Sequence, residues 1–255
     1  DWSLYDFNNI KFNGLENFRR LFSEKTFAIA IKNTFYFAIV TVLIKNVFGF
    51  LMALIVKKTS KFNTLLRAVV FLPMTISVMV VAIIFVSIYN PTNGIINEGL
   101  RAIGLDSLTR DWLFDARYSM NSICLMDIWQ GTGFTMCVMI SGLQAIPTDY
   151  YEAAKIDGAD KWQQLRYVTL PLLISSITIS LVFNIISGFK VFAQVYSTTN
   201  GGPADSTHVL GTFLFKSFGN GFLGYSAAVG LFTTVLIVAL SMTLLAILRK
   251  REVEY

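Results

Sequence analysis

The chain has 255 residues, of which 54% are hydrophobic and only 15% charged, with a mean hydropathy of +0.58 and a formal net charge of +5. A charged fraction below the roughly 25% of soluble domains, together with long apolar runs, excludes a soluble globular domain and points to an all-α integral membrane protein. One histidine excludes a His-based metal cluster, and two cysteines in one apolar run, Cys124 and Cys137, form no disulfide framework. A Gly-x-x-x-x-Gly-Lys-Ser/Thr phosphate loop, a Gly-x-Ser-x-Gly elbow and a basic run interleaved with aromatics are all absent from the sequence, which argues against an ATPase, a hydrolase of that type or a nucleic-acid binder.

The opening segment is polar with scattered aromatics. Leu15, Phe18, Leu21 and Phe22 form an apolar stripe opposed by Arg19 and Arg20, which predicts a short interfacial helix, and Trp2 and Tyr5 suit the same boundary. The first span is expected from about Ala28 to Val56, longer than the about 20 residues a bilayer needs. Lys32 near its end can snorkel, whereas Lys45, beside Asn46, lies deeper and is expected to face protein or water, with an interhelical contact favoured over a transport role. Lys57, Lys58, Lys61 and Arg67 then mark the cytoplasmic side. The second span, about Ala68 to Ile88, contains Pro73, which removes a helix hydrogen bond and predicts a bend. Tyr89 to Gly94 is a turn cluster, and the mixed segment from Ile95 to Tyr118 is expected outside, with Trp112 and Phe114 at the interface. The third span, about Met120 to Leu143, carries Asp127, Trp129, Gln130 and Thr132, and Gly131, Gly133 and Gly142 offer close helix approach.

A polar loop follows, from Ile146 to Pro171, with two helix signatures separated by one glycine. Pro147 and Asp149 open the first helix, with Glu152 placed as in a capping box, and Gly158 stops it as a left-handed C′ residue. Asp160 caps the second, with Gln163 at its third position; Trp162, Leu165, Val168 and Thr169 give it an apolar face, and Leu170 and Pro171 close it. The fourth span, about Leu172 to Tyr196, holds Ser175, Ser176, Thr178, Ser180, Asn184, Ser187, Lys190 and Gln194, more polar groups than a lipid-facing helix needs, and Gly188 can break or kink it. The loop from Ser197 to Thr207 is turn-rich, Val209 to Gly221 predicts a short outer helix, and the last span, about Leu223 to Leu248, stops at Arg249, Lys250 and Arg251. The three basic clusters fall on one side of an alternating topology, which predicts a cytoplasmic C-terminus.

The polar loop resembles the EAA loop of the membrane subunits of bacterial ATP-binding-cassette importers. Glu152, Ala153 and Ala154 are followed after three residues by Gly158, then after nine by Val168, where the pattern usually has Ile, and after one more by Leu170 and Pro171. The resemblance extends along the chain, through Gly14 to Phe18, Asn33 and Thr34, Pro73, Trp129 and the Gly201-Gly202-Pro203 loop, and is nearest to carbohydrate importers of the maltose-transporter type. It implies a polytopic helical bundle of the type I importer kind, with five spans in this chain and a further span expected ahead of Asp1. Residues 1–255 are expected to form a single permease domain, within which 146–171 is the cytoplasmic docking loop.

The implied function is that of the transmembrane subunit of an ATP-driven importer in the bacterial inner membrane, moving a neutral sugar or oligosaccharide by alternating access. The implied partners are a second permease subunit, an ATPase dimer carrying ATP and Mg, and an extracytoplasmic solute-binding protein; no cofactor is expected in this chain, and no bond chemistry. Candidate substrate-path residues are Asn184, Ser187, Gly188, Phe192 and Gln194, then Asp127, Trp129 and Gln130, because amides beside aromatics suit sugar hydroxyls and ring faces. Each of these groups can instead bond a neighbouring helix. The alternatives are an importer for a non-sugar solute and a stand-alone secondary transporter or channel. The scattered charges Lys45, Asp127 and Lys190 disfavour the first, and the lack of inverted repeats or mid-membrane ionisable pairs disfavours the second.

Overall fold

The computed structural model describes residues 2–5 and 12–250. Among these it is helical throughout, without a β-strand. The helices are α1 (Glu16–Ser23), α2 (Lys25–Val56), α3 (Lys61–Thr75), α4 (Val78–Ile88), α5 (Ile95–Ala102), α6 (Ser119–Ala145), α7 (Thr148–Ile156), α8 (Lys161–Gln164), α9 (Leu170–Leu172), α10 (Ile174–Phe189), α11 (Ala193–Thr198), α12 (Leu210–Gly219) and α13 (Leu223–Arg249). Three of them, α2, α6 and α13, are long and apolar enough to cross a membrane, and counting each of two broken pairs, α3 with α4 and Lys161–Leu172 with α10, as one span gives up to five among the described residues. The 32 residues of α2 extend about 48 Å at 1.5 Å per residue, ample for a hydrocarbon core. Arg251, the last residue of the terminal basic cluster, lies outside the described residues.

The second span differs from its expected form. It begins at Lys61 and runs through Pro73 to Thr75, and a separate helix, α4, starts at Val78. Pro73 cannot donate to the carbonyl four residues back, and the helix stops two residues later, where Ser77 is extended at ψ 135°. The fourth span is shorter than expected: α10 ends at Phe189, and α9 meets α10 in a bend, of 64° for Lys161–Leu172 against Ile174–Phe189. The break allowed at Gly188 is present, since α10 ends one residue later. A Cβ there would lie 3.1 Å from Ala38 Cα, so the glycine serves close approach to α2.

Contacts divide the chain into two compact units. The first comprises Asp1–Thr41, Ile76–Asp127 and Ser187–Val238; the second comprises Val42–Thr75, Ile128–Ile186 and Ala239–Tyr255. In the first, one cluster gathers Phe37, Val81, Ile123, Met126 and Val195, and another gathers Leu21, Phe27, Leu210, Phe213 and Val229. Leu21 is therefore buried in the protein, while Leu15 and Phe22 remain exposed, so the apolar stripe of α1 is split between core and surface. The segment after α4 is held by Asn97, whose Nδ2 donates to the carbonyls of Pro91 and Arg110 at 3.1 and 2.9 Å. Asn97 Oδ1 accepts from Trp112 Nε1 at 2.9 Å, which places that ring inside the unit; Phe114 is exposed, as an interfacial residue can be.

The second unit packs around Ala53, Met136, Met139, Leu143 and Leu173. Lys45 is buried, and its aliphatic stem runs over Gly131, where a Cβ would sit 2.8 Å from Lys45 Cδ. Gly133 faces the backbone of Val70 and Phe71 on α3.

Candidate functional site

The polar loop forms a helix, a turn and a helix, all in the second unit. Helix α7 starts at Thr148 after Pro147, so Asp149 lies inside the first turn and makes no side-chain cap. The expected capping box at Asp149 and Glu152 is therefore replaced by a proline-led start; Asp149 instead complements the positive helix end. The glycine stop is as expected. Gly158 has φ +78°, its N–H donates to the Lys155 carbonyl at 3.0 Å, and the Ala159 N–H donates to the Ala154 carbonyl at 2.8 Å. This is a Schellman closure, which satisfies carbonyls a helix end would otherwise leave unpaired.

Asp160 caps α8 as expected. Its Oδ1 accepts from the N–H groups of Trp162 and Gln163 at 2.7 and 2.8 Å, and Gln163 Oε1 accepts from the Asp160 N–H at 2.8 Å. Asp160→Ala is expected to cost about 1 kcal/mol of local stability, seen as faster amide exchange confined to the loop. The second helix is not closed at Leu170 and Pro171. It widens into a π-turn over Leu165–Thr169, where the Leu170 N–H reaches back to the Leu165 carbonyl, and continues through Pro171 to Leu172. Pro171 has no N–H to offer the carbonyl of Tyr167, and its ring would crowd a regular turn there, which accounts for the widening. The hydroxyls of Tyr151 and Thr169, 3.1 Å apart, tie the two helices together.

Glu152, Ala153 and Gly158 are exposed, and Ala154, Val168, Leu170 and Pro171 half-buried. Large apolar side chains stand out beside them: Ile156 is 86% exposed, Trp162 67% and Tyr167 69%. The expected apolar face of the second helix is thus only partly covered, with Thr169 buried and Trp162 turned outward. Exposed aromatics on an otherwise polar loop are the residue types that anchor protein interfaces.

The candidate path residues fall in different places. In the first unit Gln194 Nε2 donates to the Asp127 Oδ1 carboxylate oxygen at 3.0 Å, a pair 67 positions apart in the chain. Phe192 stacks on Tyr196 with ring centroids 5.1 Å apart, and both touch Phe215. Ser187 is half-buried and Gly188 is taken up by packing against Ala38. In the second unit Trp129 is exposed and Gln130 buried. Asn184 is 2% exposed, and its Nδ2 donates to Thr135 Oγ1 at 3.0 Å and Ser180 Oγ at 3.3 Å. Ser180 Oγ in turn donates to Asn46 Oδ1 at 2.8 Å. Asn184 therefore belongs to a polar chain that links α2, α6 and α10 in this conformation. Nothing in the spacing of the sequence pairs Gln194 with Asp127 or brings Phe215 to Phe192, whereas Tyr196 stands four residues from Phe192 at helical spacing.

Residues 45–253 match a family described as "Binding-protein-dependent transport system inner membrane component". A probable ABC transporter permease protein of Bacillus subtilis, YurN, is 38% identical over 92% of this chain and 80% of its own. The trehalose/maltose transport system permease protein MalF of Thermococcus litoralis is 31% identical over 94% of this chain and 81% of its own. Among solved structures, a bacterial alginate ABC transporter in complex with an alginate pentasaccharide-bound periplasmic protein aligns with a TM-score of 0.81 at 25% identity, covering 91% of this chain and 81% of that one. The chain belongs to the binding-protein-dependent transport system inner membrane component family and is a multi-pass membrane permease.

Proposed function

We propose, from membership of this family, that the chain is the membrane subunit of an ATP-driven importer that carries a neutral sugar or oligosaccharide into the cell by alternating access. The observation that carries the reading is the loop of α7 and α8, where a glycine-closed helix and a capped helix present Glu152, Ala153, Ile156 and Trp162 to solvent. Small residues allow close backbone approach, exposed apolar residues supply anchors, and Glu152 can pair with a basic group on the partner. That partner is a pair of ATPase subunits, which hold the ATP and Mg; this chain hydrolyses nothing itself. A second permease subunit completes the path, and an extracytoplasmic solute-binding protein delivers the cargo. Lys57, Lys58, Lys155, Lys161, Arg166, Arg249 and Lys250 support a cytoplasmic side for the loop and the C-terminus.

For the path, the Asp127–Gln194 pair offers acceptor and donor groups to sugar hydroxyls, with Ser187 as a further hydroxyl, and the Phe192 ring offers a stacking face. Trp129 and Gln130 are candidates of the same chemistry in the other unit. Asn184 and Gly188 hold helices together.

The cargo is tested by uptake into proteoliposomes carrying the co-expressed importer and its binding protein, with labelled maltose, trehalose and lactose against labelled histidine. Accumulation of a sugar that stops without ATP is expected. Accumulation of histidine and of no sugar, or uptake indifferent to ATP, overturns the reading.

A further inference from the structure

The segment between α11 and α12 adopts backbone conformations that residues with a Cβ avoid. Asn200, Ala204 and Asp205 have φ of 51°, 47° and 60°. Such residues persist only where their surroundings over-determine them. The surroundings here are specific. Asn33 Nδ2, on α2, donates to the carbonyls of Ser206 and His208 at 3.0 and 2.9 Å, and Thr34 Oγ1 accepts from the Leu210 N–H at 2.9 Å. All of these groups lie in the first unit.

His208 lies against this clamp. It is 2% exposed, its Nδ1 is 2.6 Å from Thr212 Oγ1, and its buried Nε2 has no hydrogen-bond partner among the described residues. The Thr212 hydroxyl also accepts from the Val209 N–H and donates to the Val209 carbonyl, each at 2.9 Å. A hydroxyl has one proton, so with that proton on the Val209 carbonyl the ring contact needs a hydrogen on Nδ1. Nε2 is then a bare lone pair, which burial tolerates. Protonating the ring puts an N–H on Nε2 with no acceptor and a charge in a dry site, both costly.

We propose that Asn33 and the neutral ring of His208 latch the 199–209 segment, and that protonation of the ring releases it. The charged groups that face the ring divide in sign. Burial pushes the ring below its ordinary 6.5, Asp205 of the segment and Glu24 ahead of α2 pull it up, and Lys216 of α12 adds to the lowering. The folded state favours the neutral ring, so the latch is whole above the ordinary histidine value and weakens as the pH falls below it. On the orientation proposed above, the segment answers to acidity outside the cell; the latch itself does not depend on that orientation or on the cargo.

Hydrogen exchange of the purified importer in lipid nanodiscs tests this, at pH 8 and pH 5 with labelling times scaled to the intrinsic chemical rate. Amides of 199–209 are expected to exchange several-fold and at most about thirtyfold faster at pH 5, the ceiling set by a ring that titrates from its ordinary 6.5 once released, with 148–171 unchanged. His208→Asn retains a donor for Thr212 and cannot titrate, so its segment stays protected at both values; Asn33→Leu exchanges fast at both. Equal protection of the wild-type segment at the two values overturns the latch whatever the variants do, as does a wild-type pH response in His208→Asn or a protected segment in Asn33→Leu.

Discussion

Gly158→Val is expected to uncouple ATP hydrolysis from transport while the chain still inserts in the membrane. The glycine sits at φ +78°, and a Cβ built there would touch nothing within 4 Å, so the demand for glycine is conformational and not steric. A β-branched residue in that conformation costs about 1–2 kcal/mol or more, and the chain escapes by unwinding the closure that pairs Gly158 with Lys155 and Ala159 with Ala154. A change of that size shifts the population of the closed turn by a factor of roughly 5–30. The helix carrying Glu152, Ala153 and Ala154 would then no longer hold its angle to the Asp160-capped helix. Uptake per ATP hydrolysed should fall by about that factor, with membrane abundance unchanged. Gly158→Asn, a residue that enters the left-handed region readily, should stay near wild type, and Gly158→Ala should lie between. Wild-type uptake by the valine variant would show that the turn does not transmit anything.

Gly133→Leu should prevent the second unit from forming. A Cβ at Gly133 would press on the Val70 carbonyl oxygen and lie 2.7 Å from Phe71 Cα, and neither atom can swing aside as a side chain can. Gly133→Ala alone should cost about 1–3 kcal/mol, as overpacking does, and lower the melting temperature in detergent by roughly 2–12 °C. The leucine variant should yield no monodisperse protein. Gly99 on α5 is the control, since its Cβ position is open; Gly99→Ala should be neutral or slightly stabilising. A normal melting temperature for Gly133→Ala would mean that α3 and α6 are farther apart than the structure has them.

The apolar runs made the spans legible, because a bilayer imposes a length that sequence alone can meet. The polar loop was also legible where its geometry is local: Gly158 and the Asp160–Gln163 box act over a few residues, and both formed as read. Asp149 misled because the helix starts at Thr148, with Pro147 at the cap position, which leaves Asp149 inside the first turn and no place for it as a side-chain cap. The helix break after Pro73 and the π-turn before Pro171 were only half legible: a proline announces a disturbance, but packing decides its form and position. The polar residues of the fourth span were least legible. Asn184 reads equally as a path residue or an interhelical contact until Thr135, 49 positions away, is brought beside it, and Asn33 becomes a clamp only when a segment more than 170 positions away closes on it. Hydrogen bonds of that range leave no periodic trace in a sequence.

Affinity purification of the tagged chain in mild detergent, with its companions identified and ATP hydrolysis assayed, tests the coupling role most directly. The account predicts an ATPase subunit and a second permease subunit in the same peak, with hydrolysis lost when Glu152 to Gly158 is replaced by a flexible linker. A folded chain that purifies alone, without ATPase activity, would contradict it and return the protein to the stand-alone transporters.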